Sequence, residues 1–202
     1  MRLASGSPRR ARILREAGFV FEVEQSRIDE RPPPSRADPD EEATLLAATK
    51  AADVAKRHPG ELVLGADTLV VLNDRVLGKP GGASDAIAVL RRLRGRTHRV
   101  VTGVALDGAL GRAAGTRTTS VTFRRYTDDE IRQYVDSGAP LDKAGSYGIQ
   151  DDPFRPADSI LGCYLNVVGL PLCLTAELME HIGAFKPGSS RPVCPHDRGT
   201  GR

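Results

Sequence analysis

The residues best equipped for chemistry in this chain begin with two arginines, placed where a helix least favours positive charge. The segment Leu3-Ala-Ser-Gly-Ser-Pro-Arg-Arg10 reads as a short apolar strand, a turn at Gly6, Ser7 as helix N-cap, Pro8 at the first helical position and a helix running to Gly18. Arg9 and Arg10 fall in the first turn, where free backbone N–H groups already make the helix end partly positive. A bound phosphate accounts for them, because its oxygens accept from hydroxyls, amides and guanidinium forks. The plainer reading makes both arginines solvated residues on an ordinary capped helix.

Asp67 is the second such position. Residues 62–72 form a near-continuous apolar run, the pattern of a strand covered on both faces in the middle of a sheet. A carboxylate there is costly unless a partner or a function holds it, and the small neighbours Gly65 and Ala66 leave room for a ligand. Beside a phosphate, Asp67 can accept a proton from water or help to hold Mg2+, and both roles suit attack on phosphorus. The alternative is that Asp67 and Thr68 end the strand early and hydrogen-bond a neighbouring loop.

Further cations and one amide join this set. Lys79 follows a hairpin in Gly78-Lys79-Pro80, between a permissive and a rigid residue, which suggests a positioned charge. Lys50 lies in an alanine-lined stretch, where it either reaches toward the same anion or snorkels to solvent. The segment Asp142-Lys-Ala-Gly-Ser-Tyr-Gly-Ile-Gln150 supplies Lys143, Tyr147 and Gln150 beside two glycines. The Gln150 amide offers a donor and an acceptor that suit the N3–H and O4 of uracil or thymine without excluding adenine.

The elements that must position these groups follow from the pattern. An alternating strand is expected over 19–24, a Pro-rich loop over 25–40 and a helix over 40–58 with an apolar stripe through Leu45, Leu46, Ala48, Ala52 and Ala55. Asn73-Asp74 turns the central strand into a hairpin, and Ser84 caps a helix to Leu93. Strands are expected at 98–106, 116–126 and 164–168. Thr127-Asp-Asp-Glu130 is a capping box, 140–154 is a long functional loop, and Pro171 starts the last helix. Hairpins mixed with strand–helix units predict an α/β fold, a mixed twisted sheet with flanking helices.

The chain has 202 residues, 40% apolar and 27% charged, which suits one soluble domain with or without a smaller lobe. A net charge of +3 without basic runs interleaved with aromatics argues against nucleic acid and for a small anion. No stretch approaches the ~18 apolar residues of a membrane span, and no signal-peptide pattern opens the chain, so a cytoplasmic protein is expected. Three cysteines form no disulfide framework, and Cys194-Pro-His196 lies in a Gly/Pro/Arg-rich stretch read as a disordered tail over 186–202. P-loop, Gly-x-Ser-x-Gly, His-Glu-x-x-His and dinucleotide fingerprints are absent, and four scattered histidines do not suggest a His-centred mechanism.

Taken in order, Leu3-Ala-Ser-Gly-Ser-Pro-Arg-Arg10, Ile28-Asp-Glu30, Lys50, Gly65-Ala-Asp-Thr68, Gly78-Lys-Pro80, Asp142-Lys-Ala-Gly-Ser-Tyr-Gly-Ile-Gln150 and Asn166-Val-Val-Gly-Leu-Pro171 resemble the Maf family of nucleoside triphosphate pyrophosphatases. The resemblance implies an ITPase-like fold over residues 1–185, with two lobes enclosing a nucleotide cleft. It also implies release of a nucleoside monophosphate and pyrophosphate with a divalent cation, Mg2+ or Mn2+, and suggests a homodimer. It assigns Asp67 as proton acceptor, Arg9, Thr68 and Gln150 to substrate choice, and Lys50 and Lys79 to phosphate, with Ser7 in the phosphate-holding turn. Asp29 and Glu30 stand beside Asp67 as candidate metal ligands. The loop ending in Gln150 is similar to the form that cleaves dTTP and UTP, which extends to modified pyrimidine nucleotides. Cys163 stands where relatives read Ser, and Asp151-Asp152 replaces a Gly-containing continuation. The competing expectation is a non-hydrolysing nucleotide-binding regulator of cell division.

Overall fold

The computed structural model describes residues 1–28 and 38–185. The tail over 186–202, with Cys194 and His196, lies outside them, as do Asp29, Glu30 and the Pro32-Pro33-Pro34 segment.

Strand β1 (Arg2–Leu3) leads into helix α1 (Pro8–Glu16) and the short edge strand β2 (Glu22–Val23). Helix α2 (Pro39–Ala55) precedes the central strand β3 (Val63–Leu72), the hairpin partner β4 (Arg75–Leu77) and helix α3 (Ala83–Leu93). Long strands β5 (Thr97–Gly108) and β6 (Gly111–Phe123) follow, then α4 (Asp128–Asp136), a 3-10 turn (Ala144–Ser146), β7 (Ala157–Leu161), α5 (Tyr164–Val168) and α6 (Leu172–His181). The sheet runs β2-β1-β3-β5-β6-β7, with β4 also paired to β3. β1 is parallel to both neighbours, and the other pairings are antiparallel.

One flank of β3 is discontinuous, and this gap makes the cleft. β1 pairs with Val63 and Leu64, while β4 pairs with Val70 to Leu72, so residues 65–69 have a ladder partner only in β5. Asp67 and Thr68 fall in that interval.

Alternation of β3 side chains separates two faces. On one, Leu64 and Ala66 join a core with α1, α5 and α6, whereas Val70 and Leu72 join a second core with α3 and α4. Between these cores runs a polar seam. Thr102 Oγ1 donates to the Asn166 carbonyl at 3.0 Å, and Asn166 Nδ2 donates to the Val100 carbonyl at 2.9 Å and to Thr119 Oγ1 at 3.0 Å. This buried polar row separates the two cores, and within it the Asn166 side-chain oxygen has no hydrogen-bond partner among the described residues.

On the other face α2 lies directly on the sheet. A Cβ at Gly65 would stand 2.2 Å from the Ala47 carbonyl oxygen, and one at Gly103 would stand 2.1 Å from that of Ala43. The helix therefore buries Ala43, Ala47, Ala51 and Val54, and Leu45 is 68% exposed. This corrects the expected stripe: contact with two glycines requires alanine-sized side chains, so size rather than hydrophobicity chooses the inward face.

Other expectations also change. The 164–168 strand is helix α5, because Asn166 spends its side chain on the seam and Gly169 ends a helical turn at φ 123, with its N–H bonded to the Leu165 carbonyl. The 19–24 strand shrinks to exposed Glu22–Val23, paired only with β1. Gly82, not Ser84, occupies the N-cap of α3, and Ser7 holds the N-cap of α1 without a side-chain capping bond. β7, missed in the sequence, is a short edge strand in which only Ala157 and Ile160 are partly buried, so no alternating pattern marks it. The Asn73-Asp74 turn, with both residues at positive φ, and the Thr127–Glu130 capping box match the sequence reading.

Candidate active site

Ser7, Arg9, Lys50, Asp67, Thr68, Lys79 and Gln150 all line one cavity of about 310 Å³. Residues far apart in sequence meet there because β3 brings Asp67 and Thr68 into the gap between β1 and β4. The turn after β1 delivers the start of α1 to one rim, and the 142–151 loop forms the other.

Asp67 is fixed from the α2 side. Lys50, on the buried face of α2 between Ala47 and Ala51, places Nζ 2.6 Å from Asp67 Oδ1, with the two side chains 6% and 13% exposed. Among the described residues, none hydrogen-bonds the second carboxylate oxygen. Beneath the pair, Glu42 is held above the usual carboxylate range, first by burial and then by the charge on Asp67. Glu42 was not singled out in the sequence, where it looked like one more acidic residue of a helix first turn.

Arg9 and Arg10 part company. Arg10 is buried, with Nε donating to the Gly169 carbonyl at 2.8 Å, Nη1 to Ser5 Oγ at 2.8 Å and Nη2 to Thr68 Oγ1 at 3.0 Å. It fastens α1 and α5 to β3. Arg9 stays at the rim, and its Nη1 lies 3.7 Å from Asp142 Oδ2 across the cleft mouth. Its backbone N–H, in the first helical turn, has no intrahelical acceptor. Lys79 is exposed at the rim and forms no hydrogen bond or ion pair with any described residue.

The Thr68 hydroxyl has a constrained role. Its oxygen is 3.0 Å from Thr102 Oγ1, and Thr102 already spends its proton on the Asn166 carbonyl. Thr68 must therefore donate to Thr102 while accepting from Arg10. It keeps only acceptor capacity for the cavity.

The far rim is braced from below. Tyr147 is buried, and its hydroxyl is hydrogen-bonded to His98 Nε2 at 2.8 Å, with Phe123 edge-on to both rings. Burial pushes His98 down to about 4 from its ordinary 6.5, so the ring is neutral near neutral pH. Lys143 Nζ pairs with Asp151 at 3.1 Å and with Asp142 at 3.4 Å, and Tyr134 OH donates to Asp151 at 2.5 Å. Gln150, at the end of this loop, accepts at Oε1 from Arg12 Nη2 at 2.8 Å. With Glu42, Arg12 and His98 are contributions that sequence reasoning missed; the one signal for Arg12 was its position one helical turn after Arg9.

Chemically, the cavity sets the Asp67 carboxylate, held by Lys50, among cations from three directions, with Asp142 and Asp151 on the far rim, and this suits a polyphosphate and a water. No helix among the described residues is long and apolar enough to cross a membrane.

The family model described as Maf-like protein matches residues 1–182. A Thermomicrobium roseum protein named dTTP/UTP pyrophosphatase is 48% identical over 181 residues, covering 90% of this chain and 83% of that protein. A Dehalococcoides mccartyi protein of the same name is 47% identical over 192 residues, covering 94% and 84%. One from Koribacter versatilis is 44% identical over 183 residues, covering 91% and 94%. With a family model spanning the whole cavity-forming region and relatives this similar over most of both chains, the protein belongs to the Maf family.

Proposed function

We propose that this chain is a nucleoside triphosphate pyrophosphatase that hydrolyses dTTP and UTP to the nucleoside monophosphate and pyrophosphate. The observation that carries the reading is the Asp67–Lys50 pair inside a cavity rimmed by Arg9 and Lys79. The shared name of the relatives supports the choice of substrate.

In this mechanism Lys50 holds Asp67 by one carboxylate oxygen, leaving the other to take a proton from water as it attacks the α-phosphorus in line. Arg9, Lys79 and the first-turn amides of α1 hold the triphosphate and the charge that grows on the leaving pyrophosphate. Ser7 and Thr68 accept or relay hydrogen bonds at the cleft floor, and Gln150 meets the base. Each charged contact contributes about 2–4 kcal/mol to transition-state stabilisation, by analogy with oxyanion donors.

A divalent cation, Mg2+ or Mn2+, fits this donor set. No group of three or more His, Cys, Asp or Glu among the described residues forms a metal cage. Such an ion takes one or two carboxylates and completes its shell with phosphates and water, so it would not require a cage of protein ligands. When bound, the cation neutralises charge on the phosphates.

The test is incubation of the purified chain with dTTP, UTP, GTP and ATP plus Mg2+ in heavy-oxygen water. Pyrophosphate is expected chiefly from dTTP and UTP, with the label in the monophosphate. Tight binding without pyrophosphate would favour a regulator, and label in the pyrophosphate would place the attack on the β-phosphorus.

A further inference from the structure

We infer that Arg12 is a positioning residue for substrate choice: it locks the Gln150 amide so that the cavity is offered hydrogen-bond donors, which favours a 4-keto over a 4-amino pyrimidine. The inference rests on the proposed role of this cavity as a nucleoside triphosphate site.

A side-chain amide has one oxygen that accepts and one NH2 that donates, and a free amide turns either edge to a ligand. A guanidinium has donors only. Arg12 Nη2 stands 2.8 Å from Gln150 Oε1, so the oxygen edge is the one taken. Among the described residues, none accepts from Gln150 Nε2. Arg12 is itself steadied from the next turn of α1, where Glu16 Oε1 lies 3.7 Å from its Nε. The bridge runs from the outer face of α1 to the end of the 142–151 loop, and only Gln150 of the two residues lines the cavity.

Uracil and thymine carry an acceptor oxygen at position 4, and cytosine carries an NH2 there. An amide held with its NH2 toward the base bonds the first and opposes the second. Turning the amide over would reverse this preference at no cost in shape, so discrimination by Gln150 depends on what holds its oxygen. Arg12 holds it. Thr68 offers acceptor capacity to the same cavity, which complements a ring N3–H.

The test is the ratio of kcat/KM for UTP over CTP in the parent protein and in Arg12 and Gln150 variants. Arg12→Ala releases the amide and is expected to lower the ratio roughly threefold, mainly by raising CTP turnover. Arg12→Glu accepts from Nε2, turns the oxygen toward the cavity and is expected to lower the ratio further. Arg12→Lys, another pure donor, is expected to keep most of it. Gln150→Ala should lower the ratio too, and adding Arg12→Ala to it should then change nothing more. The Arg12 side chain is 53% exposed and Gln150 is exposed too, so these substitutions remove little packing. An unchanged ratio in Arg12→Ala and Arg12→Glu, with a lowered one in Gln150→Ala, would overturn the role of Arg12 while leaving Gln150 a base reader. A ratio indifferent to Gln150 would overturn both. Absence of pyrophosphate from UTP in the parent would instead remove the reading on which the inference rests.

Discussion

Lys50 Nζ and Asp67 Oδ1 are 2.6 Å apart, and this ion pair ties the helix packed closest on the sheet to the one carboxylate of its central strand. Lysine reaches Asp67 because Ala43, Ala47 and Ala51 let that helix face sit close on the sheet, and alanine is there because Gly65 and Gly103 admit the α2 backbone. The chemistry of the site thus depends on a packing decision made two residues away.

Replacing Lys50 with Met separates its two roles. Removing one partner of a buried pair costs about 3–5 kcal/mol of stability. Turnover of dTTP is expected to fall at least tenfold with KM changed less than threefold, because the loss is in the placing of Asp67. Steady-state kinetics checks this, and a KM that rises as much as kcat falls would make Lys50 chiefly a phosphate holder.

The close seat of α2 makes Gly65 and Gly103 intolerant of a single methyl. Gly65→Ala and Gly103→Ala each force backbone apart at a contact under 3.0 Å, at a cost of about 3 kcal/mol. Urea unfolding should show a lower midpoint with an unchanged slope. A midpoint within error of the parent would mean that α2 does not lie where described.

His98 gives an acid limb to stability. Its ring is pushed down from 6.5 to about 4 by burial, so the unfolded chain binds a proton between those values that the folded chain refuses. Stability therefore rises with pH across that window and falls by about 3 kcal/mol as pH drops from 6.5 to 4. His98→Gln should flatten this part of the profile relative to the parent while holding Tyr147 less well. Parallel profiles for the two proteins would count against a buried neutral His98.

How far the sequence was legible depended on whether a residue's role was local. The capping box, the Asn73-Asp74 hairpin and the Pro8 helix start are written in a few neighbouring residues, and they match. Asp67 stood out because a carboxylate in an apolar strand violates a pattern. The α2 face did not, since the glycines that select alanine over leucine lie on other strands. Helix α5 was misread for the same reason: Asn166 serves a seam built from β5 and β6, and a short apolar run looks like a strand until that seam is known. Arg12, Arg10 and His98 act through partners more than forty residues away, and no local spacing announces such pairs.

The central claim is that Asp67 takes the proton from the attacking water. Asp67→Asn keeps size and hydrogen-bonding shape but removes the base, so kcat for dTTP should drop about a thousandfold. Affinity for a non-hydrolysable dTTP analogue, measured by calorimetry on the same preparation, should stay within about threefold. Near-parental turnover in Asp67→Asn, with binding intact, would contradict the account.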